Sequence, residues 1–183
     1  MAKGKLITPG PAYAQCSHRS ELAGIMAGLC YVVDLCHTYN ITHGGITIGC
    51  DGLGAIDAIS KTKNTKYTIK NNRKHFDILS TIKQLTKHIP NVTIKFTHVK
   101  GHQDDEKECK DLDRLSQLNV LADEIAGDMM KSQISLGLPR SDWLPCDPCP
   151  IHIVNRDGDQ MRICSHLLNT IRDEINKKKI RNY

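Results

Sequence analysis

Val92-Thr93-Ile94-Lys95-Phe96-Thr97-His98-Val99-Lys100-Gly101-His102-Gln103-Asp104-Asp105 is the stretch on which the reading of this chain turns. Val92, Ile94 and Phe96 alternate with Thr93, Lys95 and Thr97, the period-2 pattern of a half-buried strand. Gly101 offers a backbone hinge where a side chain would obstruct the turn, so the strand delivers His102 to the mouth of a charged loop. Downstream, Leu118-Asn119-Val120-Leu121-Ala122-Asp123-Glu124-Ile125-Ala126 is an amphipathic helical run carrying Asp123. Upstream, Ile46, Ile48 and Cys50 alternate as a second strand that ends on Asp51, and the carboxyl ends of strands in α/β sheets are where ligands collect. Further upstream, Leu22, Ile25, Met26, Leu29, Val32, Val33 and Cys36 recur at helical spacing, which predicts a helix over 18–37 with Ser17 as its N-cap. Glu21 lies one residue off that buried stripe. Each of these polar residues has an ordinary reading. Glu21 is an acid favoured by the helix dipole, Asp51 closes a turn, and His102 is one histidine in a basic loop. Their order along the chain, Glu, Asp, His, Asp, is what sets them apart.

The blocks Ser17-His18-Arg19-Ser20-Glu21-Leu22-Ala23, Ile46-Thr47-Ile48-Gly49-Cys50-Asp51-Gly52, His98-Val99-Lys100-Gly101-His102-Gln103-Asp104-Asp105 and Asn119-Val120-Leu121-Ala122-Asp123-Glu124-Ile125-Ala126 together resemble the type 1 ribonuclease H family, in the form associated with retroelement polyproteins and reverse transcriptases. The resemblance covers residues 5–130. It implies an α/β fold, the ribonuclease H-like three-layer arrangement around a mixed sheet, and Mg²⁺- or Mn²⁺-dependent hydrolysis of the RNA strand of RNA–DNA hybrids. It also implies that Glu21, Asp51 and Asp123 are catalytic metal ligands and that His102 moves a proton. The family pattern opens with a strand bearing a first catalytic aspartate. No aspartate precedes Glu21 here, so the resemblance implies an N-terminally truncated sheet and reduced turnover of this chain alone, and leaves open whether the rest of a longer polyprotein supplies the missing strand.

The chemistry suits those residue types. In-line cleavage of a phosphodiester needs an activated water, a stabilised leaving oxygen and charge neutralisation at phosphorus, and paired divalent cations supply all three. Mg²⁺ takes hard oxygen donors, which Glu21, Asp51 and Asp123 provide. Close carboxylates repel and raise one another's pKa until a cation binds. His102 is a poor Mg²⁺ ligand, but its near-neutral titration suits proton transfer. His98 reads as a strand-end structural residue.

The rest of the chain bounds these expectations. A chain of 183 residues with 39% hydrophobic and 25% charged residues is an ordinary globular composition, and 4% aromatic content means an aliphatic core and little base stacking. The formal net charge of +5 suits a polyanionic partner. Lys61, Lys63, Lys66, Arg73 and Lys100 are the candidate nucleic-acid contacts. Residues 61–74 read either as a solvated loop or as a phosphate-contacting surface. No secretory leader opens the sequence, and no apolar run is read as spanning a membrane, which needs ~20 residues. The expected setting is therefore cytoplasmic or nuclear, with reduced cysteines. Lys5-Leu6-Ile7-Thr8 is the one candidate strand before the first helix. Leu53 to Ile59 and Phe76 to Ile89 read as two further helices, and 101–113 as an exposed, mobile loop.

Pro139, Pro145, Pro148 and Pro150 mark a composition change. They divide a domain at 1–132 from an appendage at 133–183 that packs lightly, with a hairpin turning at Asp157-Gly158 and a basic helix after it. Cys146-x-x-Cys149 followed by Cys164-x-His166 has the ligand types and spacing of a tetrahedral Zn²⁺ site; unpaired thiols fit equally. Three function classes follow: a hybrid ribonuclease, a catalytically inactive nucleic-acid-binding remnant, and a zinc-stabilised interaction module.

Overall fold

The computed structural model describes residues 3–11, 14–63, 74–136 and 144, and two short strands near the C-terminus. The elements run α1 (Ser17–Thr38), β1 (Gly44–Cys50), α2 (Leu53–Lys63), α3 (Phe76–His88), β2 (Val92–His98), α4 (Arg114–Leu136), β3 (Ile153–Val154) and β4 (Gln160–Met161). β1 and β2 pair in parallel with Gly44 opposite Val92 and Cys50 opposite His98. The fold is thus mixed α/β around a parallel pair, with α2 and α3 forming the crossover that parallel strands require. The sequence predicts a mixed sheet; among the described residues the main sheet holds this pair alone, and β3–β4 is a separate antiparallel ladder.

The core lies on one side of the pair. Leu22, Met26 and Leu29 of α1, Ala55 and Ile59 of α2, and Ile78, Leu79 and Ile82 of α3 are almost completely buried, and Ile46, Ile48, Ile94 and Phe96 pack against them from the strands. Full burial of a Leu or Ile side chain is worth roughly 1.5–3 kcal/mol, so the α1–α3 contact anchors the domain. α1 is long and apolar enough to cross a membrane by length and composition, contrary to the sequence reading; its buried stripe against α3 accounts for that apolarity.

Several local expectations are corrected. α1 begins one residue early: Cys16, in extended conformation, is the N-cap and makes no side-chain cap bond, and Ser17 is already helical. The entry to α1 is fixed from outside, by the Arg19 Nε–H donating to the Pro9 carbonyl at 2.8 Å and the Gln15 amide donating to the Gly10 carbonyl at 2.9 Å. The segment 5–8 is not a strand; its neighbours are spent on holding that entry. α1 ends where predicted, with Asn40 left-handed at φ 51° and the Ile41 N–H returning to the Cys36 carbonyl, a helix stop that Asn tolerates. Residues 101–113 are mostly exposed but folded into short 3₁₀ turns at Gln103–Asp105 and Cys109–Asp111. Leu144 is buried in the main core cluster. The Asp157-Gly158 turn and the basic C-terminal helix lie outside the described residues.

The backbone of Cys50 accepts the Val99 N–H at 3.0 Å. In a strand one residue's N–H and C=O point the same way and alternate with its neighbours. Gly45, Thr47 and Gly49 therefore face outward from β1, where no strand pairs with them among the described residues.

Candidate functional site

The C-terminal ends of β1 and β2 are tied together beyond their last ladder bond. A His98 Nε2–H donates to the Asp51 carbonyl at 3.1 Å, which fixes the start of the turn that carries Asp51 and gives His98 the structural role expected of it. The Gly52 N–H donates to the Cys50 Sγ at 3.3 Å, and α2 starts immediately afterwards. This turn meets α1 at one point: Glu21 reaches from the helix so that its carboxylate lies directly on the backbone of Gly52, where any side chain would collide with it. Glu21 and Asp51 are thus brought to the same turn.

Gly101 serves close approach rather than the hinge read in the sequence. The left-handed residue is His102, at φ 52°, ψ 36°, and Gly101 is not among the positive-φ residues. What Gly101 permits is close approach: a Cβ there would stand 3.2 Å from the Asp51 Oδ2. The backbone entering the His102 loop therefore runs against the Asp51 carboxylate.

Asp123 arrives from α4, its Oδ2 accepting the Asn119 amide at 3.4 Å. Its pKa is raised by desolvation and by the charge of Asp51, opposed by His102 and reinforced by Asp104. The Cys50 thiol is pushed up first by burial, with the Gly52 N–H opposing, and then by the charges of Asp51, Glu21 and Asp123 together. One buried sulfur thus feels all three carboxylates, and Asp123 feels both Asp51 and His102. All four sequence-predicted site residues gather at one end of the parallel pair.

The donor set is hard oxygen, as Mg²⁺ or Mn²⁺ requires. Among the described residues no three His, Cys, Asp or Glu groups stand close enough to hold an ion as they are. An ion held there would take its oxygen donors from Glu21, Asp51 and Asp123.

The candidate phosphate contacts divide. Lys100 pairs with Glu106 at 2.9 Å and Lys61 with Asp57 at 3.7 Å, both exposed. Lys63 closes α2; its side chain, Lys66 and Arg73 lie outside the described residues, as do Cys146, Cys149, Cys164 and His166.

Two polar clusters escaped the sequence reading. Arg19 and Asp77, both fully buried, form a two-pronged ion pair at 2.6 and 3.0 Å, with His75 Nδ1 3.3 Å from the Arg19 Nη1. Gln103, Ser116 and Asp113 form the second, at the start of α4. The only signal for either was Asp113 standing just before a helical run, a familiar N-cap position. Comparison with known proteins returns nothing: no protein-family model, curated protein or solved structure matches the chain.

Proposed function

We propose that this chain is a ribonuclease H-type domain of the ribonuclease H-like fold, derived from a retroelement or reverse-transcriptase polyprotein. In this reading it binds RNA–DNA hybrids and hydrolyses the RNA strand with Mg²⁺ or Mn²⁺. The observation that carries this reading is the meeting of Glu21, Asp51 and Asp123 at the C-terminal end of a parallel strand pair, with His102 within electrostatic reach of Asp123. Divalent cations held there would activate water and neutralise charge at phosphorus. Glu21, Asp51 and Asp123 supply the oxygen donors, and the burial and the Asp51 charge that raise the Asp123 pKa also favour the uptake of positive charge beside it. His102 holds or passes a proton at the edge of the carboxylates. Lys100 and Lys61 are released to phosphates at little cost, because exposed ion pairs are weak in water. The domain works inside the cell, in cytoplasm or nucleus, where such hybrids arise.

A second reading is a hybrid-binding remnant without turnover. In this reading the outward edge of β1 at Gly45, Thr47 and Gly49 is where an added strand would pair. The zinc-module reading rests on sequence alone, and bound zinc by elemental analysis would favour it.

The deciding experiment is Mg²⁺-dependent cleavage of a labelled RNA–DNA hybrid by the 183-residue chain, by Asp51→Asn, and by a version extended with a strand bearing an aspartate. We expect every form to bind the hybrid, and whatever cleavage the chain or its extended version shows to be lost when Asp51→Asn is introduced. Robust cleavage by the unextended chain that Asp51→Asn abolishes would show that three carboxylates suffice. Failure of all forms to bind the hybrid would overturn the reading.

A further inference from the structure

We propose that Gln103 is a positioning residue whose side-chain amide clips the His102 loop to α4 and so sets where His102 stands relative to Asp123. The inference rests on the reading of His102 and Asp123 as members of one site. Gln103 follows His102, and its Nε2 donates to the Lys100 carbonyl at 2.9 Å and to the Ser116 Oγ at 2.8 Å. Ser116 is buried, and its single hydroxyl proton is committed to the Asp113 Oδ2 at 2.5 Å. A hydroxyl that has given its proton has only lone pairs left, so what reaches it from Gln103 has to be a donor. Both amide protons of Gln103 are therefore used, and the orientation of the amide is determined. The other Asp113 oxygen, Oδ1, accepts the N–H groups of Leu115 at 2.9 Å and Ser116 at 3.2 Å, which caps α4. One unbroken chain of hydrogen bonds thus runs from the Lys100 carbonyl through Gln103, Ser116 and Asp113 to the first turn of α4.

The consequence for the site is geometric. Ser116 and Asp123 are two turns apart on α4, a spacing that puts them on one face of the helix. His102 is held in the left-handed region, at φ 52°, where a residue with a Cβ stays only if its surroundings hold it. The clip spans the loop on either side of His102, from the Lys100 carbonyl to the Gln103 side chain, and fixes it to the helix that carries Asp123. Without it the loop is free to relax, and the left-handed turn is the first thing to be lost.

The test uses the full chain with trace Mn²⁺ as a paramagnetic probe, comparing wild type with Gln103→Met, which keeps volume and removes both donors. Ser116→Ala, which removes one partner, serves as a second variant should the first fail to fold. The readouts are Mn²⁺ broadening of the His102 ring and of the Asp51 and Asp123 amides, together with hydrogen exchange of amides 101–106. We expect the amide broadening to persist while the His102 ring loses most of its own, and the loop amides to exchange up to about tenfold faster, the size of one lost net hydrogen bond. Unchanged His102 broadening and unchanged exchange in both variants would overturn the proposal. If Mn²⁺ broadens neither Asp51 nor Asp123 in the wild type, the metal-site reading falls by itself, and the exchange rates then decide the clip alone.

Discussion

His75 is a buried residue from which a dependence of stability on acid is predicted. It stands left-handed at φ 57°, next to the start of α3, with its Nδ1 facing the Arg19 guanidinium and its Nε2 3.6 Å from the Cys16 Sγ. An arginine only donates, so Nδ1 accepts and the ring is neutral with its proton on Nε2. Burial first, and then the charge of Arg19, lower its pKa from about 6.5 to about 4. The folded state thus binds the proton more weakly than the unfolded chain does. The associated stability is fully present above about 6.5 and is lost as pH falls through about 4. In a thermal melt series, His75→Asn, whose side chain tolerates the left-handed backbone, should give a flatter dependence of Tm on pH between those values than wild type. An equally steep fall in both would remove His75 as the cause.

The contact of α1 with α3 is closed at one end by Arg19 and Asp77, both at 0% exposure. Removing one partner strands a charge in the core. Asp77→Ala should cost about 3–5 kcal/mol, whereas Arg19→Met with Asp77→Leu should cost far less; urea unfolding of the three chains measures both, and equal losses would contradict a desolvation origin. This pair also marks the limit of what could be read from the sequence. The strand 92–98 and the elements that carry the four candidate residues were legible because local pattern carries the information for a short periodic element. Arg19 and Asp77 meet across 58 positions, and no local period records such a meeting. Ser17 was misread as the cap for the same reason: the start of α1 is set by contacts with Pro9 and Gly10 that a capping rule does not contain. The hinge assigned to Gly101 belongs to His102, because a glycine in a sequence does not say whether it is needed for its torsion or for the space beside it.

At the scale of the whole molecule, Leu144 is 5% exposed and part of the core. A chain ending at residue 136 should therefore be less stable than one ending at 150 by about 2 kcal/mol, the burial of one leucine, as measured by denaturant midpoints; identical midpoints would make Leu144 an ornament of the surface. The register of β1 with β2, Gly44 to Val92 through Cys50 to His98, has a consequence in time. The helices of the crossover can form from local contacts, but the strands cannot pair until both helices and the segment joining them have been brought into place, and long-range parallel pairing is slow. Glu21, Asp51 and Asp123 stand on elements that meet only at that step. Asp123 therefore feels burial and the charge of Asp51, which raise its pKa, only once that step is complete. The charged end of the sheet is thus assembled by a long-range meeting and not by any local one.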